Sequence, residues 1–162
     1  MALHPDFPKS PHEILSPDMR WFPADEALRD KGMEKLMPPL VAKIREKVRD
    51  FRDSGYVGAS DTSKSLLNWW FNEPHLLEQA DGTRREFKYY FAQREALESI
   101  IWLYDVIGAK DKFDLFQFDA TGMVSANMFD ETWRRYVVKM ATGSGKTKVM
   151  ALALAWSYFH KL

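Results

Sequence analysis

The stretch from Met140 to Met150, "MATGSGKTKVM", leaves few local folds open. Gly143 and Gly145 flank Ser144, and Lys146 and Thr147 follow at once. Before them, "RRYVVKM" (134–140) is a β-branched run that reads as a buried strand. After them, the chain is helical in pattern from Gly145 to His160. Strand, glycine-rich turn, helix is the order in which consecutive backbone N–H groups converge on an anion. The glycines permit the sharp turn, and the helix start adds free N–H groups and a favourable dipole.

That chemistry suits the β- and γ-phosphates of a nucleoside triphosphate. Thr142, Gly143, Ser144, Gly145, Lys146 and Thr147 are the candidate contacts. Lys146 reaches the phosphate oxygens as a mobile point charge and is the candidate catalytic residue. The Thr147 hydroxyl is the candidate Mg²⁺ ligand. The common pattern G-x-x-x-x-G-K-[ST] opens on a glycine, and here Met140 stands in that place.

Composition narrows the class. The 162 residues suffice for one ordinary domain with a hydrophobic core. No apolar run is long enough to cross a membrane, and the N-terminus lacks the apolar segment of a secretory signal, which points to the cytoplasm. Zero cysteines exclude disulfides and thiolate metal sites. Four scattered histidines suggest no zinc site. With 23 basic and 23 acidic residues, the chain lacks the basic excess of a stand-alone DNA-binding domain. Six tryptophans, without regular basic neighbours, read as core or interface.

Seven of the eight prolines lie in the first 39 residues, so residues 1–32 read as an extended proline-rich arm. "PLVAKIREKVRDFRDSG" is a strong helix, with Leu40, Ile44, Val48 and Phe51 as its apolar stripe and Gly55 as its stop. Its other face mixes Lys and Arg with Glu and Asp, the pattern of a solvated face. "DTSKSLLNWWFNEP" suggests a helix capped by Asp61 or Thr62, stopped before Pro74 and apolar almost all round, hence buried. Asp81-Gly82 is a turn signal, and "REFKYYF" alternates as a short strand. "AQREALESIIWLYDVIG" is the second strong helix, lined by Leu97, Ile100, Ile101, Tyr104 and Ile107 and ended by Gly108.

"ATGSGKT" without a leading glycine resembles motif I of superfamily 2 helicases. "YFAQREALESIIWLYD" resembles the Q-motif region of that superfamily, where a glutamine just before a helix reads adenine; Gln93 is that residue here. An amide side chain suits the task, because it donates and accepts at once. Together the two stretches are most similar to the N-terminal part of the helicase subunit of type III restriction enzymes, of DEAD/DEAH type. One departure stands out: Gln93 and Lys146 are 53 residues apart, more than compact helicases allow, and an insertion near 109–133 would account for it.

The resemblance implies an α+β, mainly helical fold. An N-terminal helical region would precede the first strand, phosphate loop and first helix of an incomplete RecA-like P-loop NTPase domain. The expected divisions are the arm at 1–32, a mainly helical Q-motif region at 33–133, and the start of the ATPase lobe at 134–162. It implies ATP and Mg²⁺ as cofactors. Through the intact parent it implies DNA as partner, with a methyltransferase (modification) subunit as a further one. Family members hydrolyse ATP with an acidic motif and with arginines of a second RecA-like domain, and only 15 residues follow Thr147. The chain therefore reads as an N-terminal piece, able to bind ATP without completing hydrolysis. It is expected to self-associate through its apolar C-terminal end. Two other readings stay open: an accessory protein-interaction or DNA-docking domain with no nucleotide function, and, more weakly, a small P-loop kinase.

Overall fold

The computed structural model describes residues 40–111, 113–119 and 137–161, with Ala42 by its backbone alone. The proline-rich arm lies outside the described residues. The elements are α1 (Val41–Asp53), α2 (Asp61–Phe71), β1 (His75–Glu78), β2 (Arg84–Phe87), α3 (Phe91–Ile101), a π-helical turn (Trp102–Val106), the short α4 (Phe113–Phe116) and α5 (Lys146–Lys161). The described fold is mainly helical, with one antiparallel two-stranded sheet. The expected α+β, mainly helical class holds at that level.

Helix α1 forms where its stripe predicts. Val48 and Phe51 are buried, and Leu40 and Ile44 pack against the core from its edge. Gly55 adopts φ +71 and ends the helix, as expected. Tyr56 follows at φ +65, a left-handed conformation rarely taken by a bulky residue, and is fully buried.

Two expectations for α2 are corrected. Its cap is Ser60, whose hydroxyl accepts from the Ser63 N–H, because Ser60 has the extended backbone that a cap requires while Asp61 is already helical. Its surroundings are not apolar all round. Leu67 and Trp70 are buried, but Trp69 is 58% exposed. The indole of Trp69 meets the His75 ring edge-on at 5.2 Å, and its carbonyl lies 2.7 Å from His75 Nε2, fixing the entry to the hairpin. Strand β1, which sequence periodicity does not indicate, pairs with β2 across the Asp81-Gly82 turn, His75 opposite Phe87 and Glu78 opposite Arg84. The predicted strand "REFKYYF" is shorter than expected, since Phe91 already begins α3.

The second strong helix changes pitch partway. The Ile107 N–H donates to the Trp102 carbonyl at 2.9 Å, five residues back. The widened turn rotates the register, burying Trp102 and Leu103 and turning Tyr104 outward. The straight stripe expected through Tyr104 therefore breaks at Ile101. The turn also brings Asp105 to Ser60: Asp105 Oδ2 accepts from the Ser60 N–H at 2.8 Å and its hydroxyl at 2.9 Å.

The core is shared by α1, α2, α3 and α5. Val48, Phe51, Leu67, Leu97, Ile101, Leu152 and Trp156 form one cluster. Each large apolar side chain so buried stabilises by about 1.5–3 kcal/mol. Trp156 also donates from Nε1 to Ser63 Oγ at 2.8 Å, so its one polar atom is satisfied inside. The buried strand expected at 134–140 is not formed by residues 137–140, which are irregular, with Val137 almost wholly exposed. No strand lies beside them among the described residues, and β-branched composition makes no ladder without a partner. Arg134, Arg135 and Tyr136 lie outside the described residues.

Candidate functional site at the glycine loop

Helix α5 begins at Lys146, directly after the glycine turn. Gly143 has φ +78 and Gly145 φ +77, conformations that cost a non-glycine residue about 1–2 kcal/mol. The Ser144 N–H and Oγ both donate to the Ala141 carbonyl, at 3.3 and 2.7 Å. Lys146 Nζ folds back over the loop and donates to the carbonyls of Met140 and Ala141, at 3.0 and 3.2 Å. Thr142, Gly143, Lys146 and Thr147 are exposed, and Ser144 and Gly145 are half-buried. The first N–H groups of α5 have no acceptor within the helix, as at any helix start. The loop thus places two exposed residues, Lys146 and Thr147, at the start of a helix.

Gln93 meets this loop from the other side. It is the third residue of α3 and is buried. Its Oε1 accepts from the Tyr90 N–H at 2.9 Å, the side-chain half of a capping box. Its Nε2 donates to the Ser144 carbonyl at 3.1 Å and approaches the Gly145 carbonyl at 3.5 Å. A Cβ built on Gly145 would stand 2.2 Å from Gln93 Nε2. Glycine at 145 is favoured by its φ, and a side chain there would displace the Gln93 amide. The structure brings Gln93 to the loop although Gln93 and Lys146 are 53 positions apart. It does so by packing α3 on α5, both of which contribute to the common core.

Beside the loop, Lys148 Nζ sits 5.5 Å from the centroid of the Phe87 ring. Phe87 meets Tyr89 edge-on at 4.9 Å, and Tyr89 meets Phe71 at 5.3 Å. Burial raises the Tyr89 phenol above its ordinary value. These rings tie the hairpin and α2 to the flank of the loop helix.

Behind Gln93 lies a buried charged cluster that sequence reading misses. Glu98 has no exposed surface. Its Oε2 accepts from Arg52 through both Nε, at 2.8 Å, and Nη2. Its Oε1 accepts from Arg94 Nε and from the Tyr56 hydroxyl, each at 2.8 Å. Arg94 Nη2 donates onward to the Tyr56 oxygen at 2.7 Å and to Asn72 Oδ1 at 3.1 Å. Burial first, then the neighbouring carboxylate, pushes the Tyr56 phenol well above its ordinary value. Burial works against the Arg94 charge, but Glu98 outweighs it and raises the guanidinium further. One signal was present in the sequence. Arg94 and Glu98 fall on the helical stripe of Leu97 and Ile101, where an acidic side chain must be paired.

Residues 86–162 match the family described as type III restriction enzyme, res subunit. No curated protein and no solved structure matches the chain. The matched stretch contains both Gln93 and the glycine loop, so the helicase-related resemblance drawn from those residues is borne out there.

Proposed function

We propose that this chain, whose residues 86–162 are helicase-related and of the type III restriction enzyme res-subunit kind, forms the ATP-binding portion of a DNA-dependent ATPase or translocase of a restriction system. The observation that carries the reading is the bond from Gln93 Nε2 to the Ser144 carbonyl, which joins the candidate base reader to the candidate phosphate loop. The loop N–H groups would hold the β- and γ-phosphates, and Lys146 would leave the Met140 and Ala141 carbonyls for the phosphate oxygens. Thr147 is exposed, and its hydroxyl would hold Mg²⁺. Gln93 Oε1 accepts one bond from Tyr90 and keeps a second lone pair for the adenine amine. Thr142 and Gly143 shape the turn, and Ser144 anchors it on Ala141.

The roles assigned to these residues are nucleotide and Mg²⁺ binding. In this reading residues 134–162 open the ATPase lobe and 33–133 form the helical Q-motif region. DNA and a modification subunit are the partners, reached through the assembled enzyme in the cytoplasm. No helix among the described residues is long and apolar enough to cross a membrane.

Calorimetric titration with MgATP and MgGTP tests the reading. The wild type binds MgATP, Lys146→Ala removes binding of both nucleotides, and Gln93→Ala narrows the preference for ATP. Equal heats for wild type and Lys146→Ala would overturn it.

The accessory reading draws on a different observation. Trp69, Leu76 and Leu77 are each more than half exposed at the hairpin, an apolar surface a protein partner could cover. Under that reading the protein gives no nucleotide heat.

A further inference from the structure

We propose that Glu98, with Arg52, Arg94 and Tyr56, is a positioning cluster that sets the conformation of the glycine loop through Gln93. The inference rests on the nucleotide reading for its functional consequence, but the mechanical link stands on geometry alone. Gln93 and Arg94 are consecutive residues in the first turn of α3. One side chain grips the loop, at Ser144, and the other grips the cluster, at Tyr56, Glu98 and Asn72. Whatever fixes Arg94 fixes the backbone that carries Gln93.

Arg52 holds the same turn from a second direction. Its guanidinium lies 5.0 Å from the centroid of the Phe91 ring, at the first residue of α3, while it pairs with Glu98 further along. One side chain of α1 therefore holds the helix at two points seven positions apart. Tyr56 supplies the third hold. Its left-handed backbone is strained for a tyrosine. That conformation places its hydroxyl between Arg94 and Glu98. Strain of this kind persists where surrounding contacts over-determine it.

A structural staple between α1 and α3 would need none of the precision seen at the other end. The Gly145 backbone comes so close to Gln93 that an added methyl group would overlap its amide nitrogen. At a donor–acceptor distance of 3.1 Å, a displacement of roughly 0.5 Å takes the Gln93–Ser144 bond out of range. A small rotation of the first turn of α3 is thus felt at the loop. The cluster lies on residues that touch no phosphate contact directly, so its members are positioning residues.

The test uses Tyr56→Phe, which removes one hydroxyl, and Arg94→Lys, which keeps the charge but cannot bridge Glu98, Tyr56 and Asn72 together. Leu67→Val serves as a core variant of comparable mildness. Amide and side-chain NH₂ resonances are followed by NMR, well below each melting temperature, with MgATP titrations alongside. The expected result is displacement of the Gln93 NH₂ and of the Ser144, Gly145 and Lys146 amides in Tyr56→Phe and Arg94→Lys, but not in Leu67→Val. MgATP affinity falls by about fivefold, the equivalent of one lost hydrogen bond, in the same two variants. Loop resonances that stay in place while the melting temperature drops would overturn the proposal and leave the cluster a staple. If one variant does not fold, the other decides. A wild type that binds no MgATP would end the nucleotide reading, and the loop resonances would still decide the link.

Discussion

Gly145→Ala separates backbone strain from side-chain contact when made together with Gln93→Ala. At φ +77 an alanine costs about 1–2 kcal/mol in any background. The new Cβ would also stand 2.2 Å from Gln93 Nε2 and 3.4 Å from its Cδ. The amide end must swing away, which breaks the 3.1 Å bond to Ser144 and loosens the cap on Tyr90, a loss of about 1 kcal/mol. Gly145→Ala alone is therefore expected to cost about 2–3 kcal/mol. In the Gln93→Ala background only the strain remains, so the cost falls by about 1 kcal/mol. Urea unfolding followed by tryptophan emission reads both numbers, since Trp156 on α5 and Trp102 after α3 are buried. Additive effects, agreeing within about 0.5 kcal/mol, would show that Gln93 does not bear on Gly145 and would refute the contact.

Three further outcomes are expected. Burial pushes the Asp105 carboxyl upward, but the Ser60 N–H, the Ser63 and Ser60 hydroxyls and the His160 ring outweigh it and hold it below its ordinary value. Its contribution is present above the unfolded value of about 3.9 and is lost as pH falls through the lower folded value, so Asp105→Asn should flatten the acid limb of a stability–pH profile. Trp156→Phe should destabilise by about 1–3 kcal/mol, through the Ser63 bond and lost packing, whereas Trp69→Ser should stay within about 1 kcal/mol, both measured by thermal unfolding. Met150, Leu154 and Tyr158 line an exposed apolar face of α5, so the chain is expected to self-associate in light scattering at ~100 µM and to become monomeric on Leu154→Lys, in keeping with an exposed face of that kind.

The parts legible in the sequence are those set by local periodicity. The stripe of α1, the Gly55 stop, the Asp81-Gly82 turn and the helix after the glycine loop all follow from short-range pattern. Gln93 was legible only beside the loop motif, because a glutamine at a helix start has many ordinary uses. Four features were not legible, each for its own reason. The pitch change at Trp102 depends on which of two helical hydrogen bonds tertiary packing favours, and Trp102 and Leu103 look equally apolar on either register. Strand β1 carries no alternation, since Leu76 and Leu77 are consecutive and both exposed. The run at 134–140 shows the opposite failure, strand composition at Val137 and Val138 without a neighbouring strand among the described residues. Tyr56 escapes any pattern, because its left-handed backbone makes sense only once Glu98 is placed.

The position of Glu98 also bears on how far the proposed nucleotide site extends. Glu98, Arg94 and Gln93 lie within the stretch similar to restriction-enzyme helicase subunits, residues 86–162. Arg52, Tyr56 and Asn72 lie before it, on α1, the turn after it and the end of α2. Without them Glu98 would keep one guanidinium partner and lose two of its three binding groups. A buried carboxylate deprived of partners destabilises by about 3–5 kcal/mol, a large share of the stability of a domain this size. The first core layer behind α3 comes from the same region, through Val48, Phe51 and Leu67. Helices α1 and α2 are thus not an appendage to a loop that works by itself. They supply both the charges and the apolar surface that hold α3 against α5, and Gln93 carries that hold to Ser144 and Gly145.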